Sequence, residues 1–339
     1  MSLKPQVSIV IPVYNEQAVL PMLFERLYPA LDTLKRSYEV IFVNDGSRDR
    51  SAAMLREMWQ KRPDVTRVVL FQANFGQHAA IMAGFAQVQG QQIVTLDADL
   101  QNPPEEVANL LAKMDEGHDY VGSIRQSRDD GWFRSFASGL ANRFRERATK
   151  IKMTDQGCML RAYSRPIVDA IVHSREISTF IPALAYSFSH DPVEITVAFD
   201  ERAAGESKYS LGKLLRLNYD LITAFSILPL QWFSVLGMLT SVGSVLFYAI
   251  LLTKRLLAGD LQGGINDLFD RDILAFVLIG MVLFGIGLLG EYIGRIYQQV
   301  RHRPRYLIQA ILEGDPNNSA QQALVSSQIE GLKWQQPQV

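Results

Sequence analysis

From Leu221 to Thr253 the chain contains no Asp, Glu, Lys or Arg. Within this stretch Leu230–Leu252 is long enough to cross a hydrocarbon core, which takes about 20 residues as a helix. A second uncharged run, Ile273–Gly290, is followed by Glu291 and Arg295. A water-soluble fold would have to bury both runs as core helices. Their separation by a short polar loop, and the basic residues outside them, predict instead a two-helix membrane module over 230–296. Gly280, Gly285, Gly287 and Gly290 suit close helix contact in lipid. Arg202, Lys208, Lys213 and Arg216 precede the first run, and Arg295, Arg301, Arg303 and Arg305 follow the second. The loop carries Lys254, Arg255 and Arg271, offset by Asp260, Asp267, Asp270 and Asp272. That asymmetry places both termini in the cytoplasm. Glu291 is expected either at the interface or paired with Arg295.

The rest of the chain reads differently. Its 339 residues suit one or two domains, and 34 Lys+Arg against 35 Asp+Glu leave no field of the kind that nucleic acid requires. The single cysteine, Cys158, excludes an internal disulfide and a cysteine-built metal site, and is expected as a small buried filler. The opening MSLKPQVSIVIPVY lacks the pattern of a secretory signal. Strand-like runs at 7–14, 39–45, 66–72, 92–99 and 119–124 alternate with helical ones at 16–34, 50–61, 77–89 and 104–116. Near-continuous Val/Ile runs joined by helices predict an α/β domain with a mostly parallel sheet buried on both faces. Such sheets bind ligands outside the carboxyl ends of their strands.

Those ends are polar. The first carries Pro12, Tyr14, Asn15 and Glu16, and the second Asn44, Asp45, Gly46 and Ser47. The third is followed by Asn74, Phe75, Gly76, Gln77 and His78, and the fourth ends in Asp97, Asp99 and Gln101. If the fourth strand runs through this stretch, 97, 99 and 101 share a face. Neighbouring carboxylates repel unless a cation intervenes, and oxygen-only ligands indicate Mg²⁺ or Mn²⁺ shared with phosphates. Alternatively, the acids are a solvated helix start, since NPPEE is itself a helix N-terminal signal. Neither G-x-G-x-x-G nor G-x-x-x-x-G-K-[ST] occurs after a strand, which counts against dinucleotide oxidoreductases and P-loop ATPases.

The motifs SIVIPVYNE, VNDGSRD, NFGQHAAIMAGF and LDADLQNPPEE, followed by two apolar spans, resemble the glycosyltransferase family 2 enzymes that load sugars onto polyprenyl phosphates. Through DQGCMLRAY, GESKYS and GLLGEYIGRIY the likeness runs to members that transfer 4-deoxy-4-formamido-L-arabinose to undecaprenyl phosphate for lipid A modification and cationic peptide resistance. The resemblance spans about residues 7–310. It implies a GT-A (Rossmann-like) catalytic domain over 1–210, a UDP-sugar donor and inverting single displacement. Pro12, Tyr14, Glu16, Asp45, Asn74, Gln77, Asp97 and Ala98 would bind the nucleotide, and Asp97, Asp99 and Gln101 the metal. Asn44 stands where many relatives have a first Asp. The alternative is transfer of glucose or mannose to undecaprenyl or dolichyl phosphate. The implied site is the bacterial inner membrane, in a multi-pass homo-oligomer.

A lipid phosphate oxygen is already anionic near pH 7, with a second pKa of ~6, so its approach to a diphosphate requires cations more than a base. Arg125 and Arg128 follow the fifth strand; Arg202, Ser207, Lys208 and Tyr209 lie just before the membrane module, where a lipid head group would arrive. An interfacial basic cluster that only touches anionic lipid is the plainer reading of the latter. Asp155 matches a family aspartate near the donor sugar, as base, sugar positioner or turn-former. Trp132–Met153 reads as a basic amphipathic helix, on the membrane or packed on the domain. Leu211–Leu228 reads as an interfacial helix turned at Pro229, giving a 211–229 juxtamembrane segment. His78 is either a phosphate contact or an ordinary helix-start residue, and 297–339 is expected as a cytoplasmic tail. A nucleotide-sensing transport component is the non-enzyme alternative. The absence of a row of polar residues along the spans counts against it.

Overall fold

In a computed structural model of the chain, residues 4–125, 153–155, 157–174, 180–200, 228–258, 266–301 and 304–314 are described. Arg128, Arg202, Ser207, Lys208 and Tyr209, all but the last residue of the expected 132–153 helix, nearly all of the juxtamembrane segment and the tail beyond 314 lie outside them. The described residues fall into two compact units, one carrying the strands and the other the two long helices.

The first unit is built on one eight-stranded sheet in the order β7-β5-β6-β4-β1-β2-β3-β8. Its strands are β1 (Val7–Val13), β2 (Tyr38–Asn44), β3 (Thr66–Phe71), β4 (Gln92–Thr95), β5 (Tyr120–Arg125), β6 (Arg161–Ser164), β7 (Pro192–Val197) and β8 (Ile308–Leu312). The pairs β1–β2, β1–β4, β2–β3 and β5–β7 are parallel. The pairs β3–β8, β4–β6 and β5–β6 are antiparallel. β1 and β2 are buried almost throughout because helices cover both faces, so neither shows alternation in its sequence. On one face Ile9, Ile11 and Phe42 pack with Leu23 and Leu27 of α1 (Leu20–Asp32), Leu55 of α2 (Ser51–Lys61) and Leu110 of α4 (Val107–Asp115). On the other lies α3 (Gln77–Phe85), which is buried from Ala80 to Phe85 and packs on β1 and β2. Helices α5 (Arg165–His173) and α6 (Ile181–Phe188) complete the unit.

β1 sits where the strand order reverses. β2 and β3 leave it on one side and β4 on the other, so the carboxyl ends of β1 and β4 border the crevice in which doubly wound sheets bind ligands. Two features of the sheet were not legible in the sequence. β6 inserts antiparallel between β4 and β5, and Ile308–Leu312, inside the expected tail, returns as β8 to cover the open edge of β3.

The second unit comprises α7 (Leu228–Ala258), which contains the whole first apolar run, and α8 (Asn266–Val300). Among the described residues one stretch, the 23-residue Leu278–Val300 with mean hydropathy 1.5, is long and apolar enough to cross a membrane. The two expected spans correspond to two long helices, of which one carries a stretch of that length and apolarity among the described residues, shifted beyond Gly290. The helix continues past the charges, where Glu291 and Arg295, one turn apart, pair at 2.9 Å. Of the four glycines singled out, Gly285 lies at a helix contact: a Cβ there would meet the Phe233 ring at 2.2 Å, whereas at Gly280, Gly287 and Gly290 it would meet open space.

Candidate active site

The loops after β1 and β2 are joined by reciprocal hydrogen bonds. Asn15, in the left-handed region at φ 56°, donates its backbone N–H to Ser47 Oγ (3.0 Å) and accepts from the Arg48 N–H at 2.8 Å. The Glu16 N–H donates to Ser51 Oγ (2.9 Å) and the Gln17 N–H to Asp49 (3.1 Å). This interlock leaves Tyr14 43% exposed beside half-buried Pro12 at the mouth of the crevice, its ring available for stacking.

Asp45 points the other way. It is buried, and its carboxylate accepts the N–H of Phe75 (2.7 Å), the N–H of Gly76 (2.9 Å) and the side-chain amide of Asn74 (2.9 Å). Burial lifts its pKa above its ordinary value, and the two backbone donors offset only part of that lift. In this geometry both Asp45 and Asn74 are spent on fixing the Asn74–Gly76 loop. Gly46 makes the fit possible: at φ +64°, a Cβ there would lie 2.3 Å from the Ala73 carbonyl carbon. Past the loop, α3 opens with Gln77, whose amide donates to Asp97 Oδ1 at 2.6 Å.

The acidic stretch is not strand. β4 ends at Thr95, and Leu100 adopts φ 59°. Alternation survives nonetheless, because Leu96, Ala98 and Leu100 are anchored in the core while Asp97, Asp99 and Gln101 are only half-buried. A backbone hydrogen bond from Leu96 N to Val10 O keeps the stretch beside β1, and the Gln101 N–H donates to Asp99 at 3.1 Å. With its methyl group in the core, Ala98 presents only backbone to a ligand. The acids precede a 3-10 turn, Pro104–Glu106, which runs into α4. The helix-start signal in NPPEE is therefore real but begins after them.

Arg125, at the end of β5, does not stand free as the expected phosphate contact. It forms a two-pronged pair with Asp155, Nε at 2.6 Å and Nη2 at 2.9 Å, and its guanidinium lies 5.2 Å from the Phe199 ring centre. Burial alone would raise the Asp155 pKa. The Arg125 hydrogen bonds and charge, with the N–H groups of Arg125 and Gly157, outweigh it and hold the carboxyl below its ordinary value. At Gly157 a Cβ would sit 2.7 Å from Arg125 Nη2, so a side chain there would push the guanidinium aside.

Sequence reasoning passed over Arg161, which is fully buried on β6. It donates to the carbonyls of Asp155 (2.6 Å) and Cys158 (2.7 Å) and to the Tyr120 hydroxyl, fixing the turn that carries Asp155. The available signal was an arginine inside the otherwise apolar run CMLRAY. Cys158 is buried as expected, but within a polar group: its Sγ lies 2.8 Å from Ser123 Oγ and 3.3 Å from Asn102 Oδ1. His78 is no cation for phosphate. Burial pushes its pKa down to about 4, its ring stands edge-on to Phe180 at 5.6 Å, and its Nδ1 has no partner.

A polar crevice at the switch point of a mixed, mostly parallel sheet makes this an α/β domain with a candidate ligand site at its strand ends. Residues 8–172 match the family model described as glycosyl transferase family 2, which supports sugar transfer from a nucleotide-sugar donor as the activity of this unit. Among solved structures, the chain is similar to glucosyl-3-phosphoglycerate synthase from Mycobacterium tuberculosis, crystallised with Mn²⁺, UDP and glucosyl-3-phosphoglycerate. The two are 17% identical over 65% of this chain and 78% of that one, with a TM-score of 0.45. It is also similar to S. aureus TarS 1–349, at 15% identity over 58% and 59% of the two chains and a TM-score of 0.38.

Proposed function

We propose that the protein transfers a sugar, with inversion, from a UDP-sugar to the phosphate of undecaprenyl phosphate, and that the sugar is 4-deoxy-4-formamido-L-arabinose. The observation that carries this reading is the convergence of Tyr14, the Gln77–Asp97 contact, Asp99 and the Arg125–Asp155 pair on one sheet edge, in a chain whose other unit is two long apolar helices. The charge flanks and motifs support a multi-pass inner-membrane enzyme with cytoplasmic termini, and the family resemblance supports a homo-oligomer.

The donor set at the crevice fits a hard divalent ion, Mg²⁺ or Mn²⁺. Asp97 and Asp99 supply carboxylate oxygens and Gln101 an amide oxygen. Among the described residues no group of three His, Cys, Asp or Glu could hold a metal alone, so the remaining ligands would come from the donor diphosphate. When bound, such an ion neutralises charge on the departing nucleoside diphosphate.

The protein's own groups do the rest. Tyr14 offers a ring to the base, and the Asn74–Gly76 loop, held by Asp45, lines the nucleotide. Asp155, with its depressed pKa and its arginine partner, is a poor base. None is needed, because the attacking phosphate oxygen is already ionised. Asp155 instead orients Arg125, which offsets the meeting of two anions together with the cations expected at Arg128, Arg202 and Lys208, while Ser207 and Tyr209 are expected as hydrogen-bond donors to the lipid phosphate. Asp99→Ala should abolish transfer and weaken UDP binding only when metal is present. A thin-layer assay of the purified protein with undecaprenyl phosphate and a panel of UDP-sugars reads this directly. Unchanged turnover of the variant would sink the metal assignment, and transfer only from UDP-glucose would replace the sugar.

A further inference from the structure

What holds the Asn74–Gly76 loop reaches further than Asp45. Phe71, the last residue of β3, is 2% exposed. One face of its ring stacks on Tyr306 at 5.1 Å and an interplanar angle of 8°. Phe75 meets the same ring edge-on at 5.7 Å and 83°. Alongside, the Gln72 N–H donates to the Leu307 carbonyl at 3.0 Å. Between these points Gln72, Ala73 and Asn74 are exposed, and they border an open cavity of about 360 Å³ walled by Arg48, Arg56 and Gln309. The loop therefore rests on Asp45 beneath and on the 306–307 segment beside it. That segment follows the long apolar helix and is fastened to the sheet unit at both ends. Arg305 donates to the Ser174 carbonyl at 2.6 Å, β8 pairs with β3, and Glu313 pairs with Arg67 at 3.0 Å.

We propose that Tyr306 is a positioning residue for the donor: through Phe71 and Phe75 its ring holds the loop whose amides cap Asp45. This rests on the reading of that loop as part of the nucleotide site. Docking of β8 and ordering of the loop form one unit, because the same aromatic ring is shared between them. The donor site is complete only once the chain beyond the apolar helix has returned to the sheet.

The test uses the full-length protein in detergent. Tyr306→Ala should speed amide hydrogen exchange in peptides covering 72–77 without nucleotide. It should also raise the Kd for UDP with Mn²⁺ by roughly 2- to 10-fold, the range that loss of one aromatic pair corresponds to. KM for the lipid acceptor should stay put. Tyr306→Phe keeps the ring and should behave as wild type in both readings; if Tyr306→Ala does not fold, Tyr306→Leu replaces it. Unchanged exchange, faster exchange with an unchanged UDP Kd, or a Tyr306→Phe variant as impaired as the others each overturns the proposal. Asp45→Asn separates the two layers. If it leaves the UDP Kd unaltered, the nucleotide reading of the loop fails; if it weakens UDP while Tyr306→Ala does not, the role of Tyr306 fails alone.

Discussion

Gly46→Ala is the sharpest perturbation of the crevice, since a single methyl group acts there on backbone alone. Gly46 sits at φ +64°, where an L-residue is strained by roughly 1–2 kcal/mol. The added Cβ would lie 2.3 Å from Ala73 C, 2.6 Å from Asn74 N and 2.7 Å from Ala73 O. Ordinary contact begins at 3.4 Å, so the 73–74 backbone must retreat by 3.4 − 2.3 = 1.1 Å. If that shift carries to Phe75, its 2.7 Å bond to Asp45 lengthens to 2.7 + 1.1 = 3.8 Å, outside hydrogen-bond range. A misplacement of about 1 Å costs on the order of 100-fold in rate. The expected result is therefore a loss near two orders of magnitude in sugar transfer and a weakened Kd for UDP, with a melting temperature only a few degrees lower. Gly117→Ala is the control. Its φ of +108° strains any side chain, but a Cβ there meets nothing within 4 Å, and it lies between α4 and β5, away from the crevice. It should lose thermal stability and keep its turnover. A Gly46→Ala enzyme with wild-type UDP affinity and rate would refute the reasoning, as would a Gly117→Ala enzyme equally impaired in transfer.

Two further outcomes follow from charge placement. The Asp155 pKa is depressed in the folded protein, so its contribution to stability is present above its unfolded pKa of about 4 and fades as the pH falls through the folded value. The stability gap between wild type and Asp155→Asn, from denaturant titrations between pH 3 and 6, should narrow toward the acid end; a constant gap would contradict the assigned pairing. Arg67, with its side chain 12% exposed, serves Glu39 at 3.6 Å and Glu313 at 3.0 Å. Removing it leaves Glu39, whose side chain is only 9% exposed, with its hydrogen bonds from Ser8 Oγ and the Gln89 N–H (2.6 Å each) but without its charge partner, so Arg67→Ala should cost roughly 1–3 kcal/mol. Glu313→Ala, at a 40% exposed side chain, should cost under ~1 kcal/mol. Equal losses in melts of the two variants would show that Glu39 is not held by Arg67.

The sequence by itself determined the elements whose residues act locally. Val/Ile runs buried on both faces specify β1, β2 and β3, and all five expected strands begin within one residue of where they were placed. The long uncharged runs specify α7 and α8. The residues at the strand ends were legible too, because polar groups closing an apolar run have no core to join. Tertiary structure alone decided how those groups are used. Whether Arg125 is free or bound to Asp155, whether Asp45 faces a ligand or the Asn74–Gly76 amides, and whether Ile308–Leu312 hangs loose or closes the β3 edge all depend on partners 30 to more than 200 positions away. Periodicity reports only which face a residue lies on, and a short strand such as β6, with a buried arginine in it, has too few residues to show even that. Long-range pairing is fixed by which edge remains open once the central strands have packed, a property of the assembled sheet and not of any segment within it.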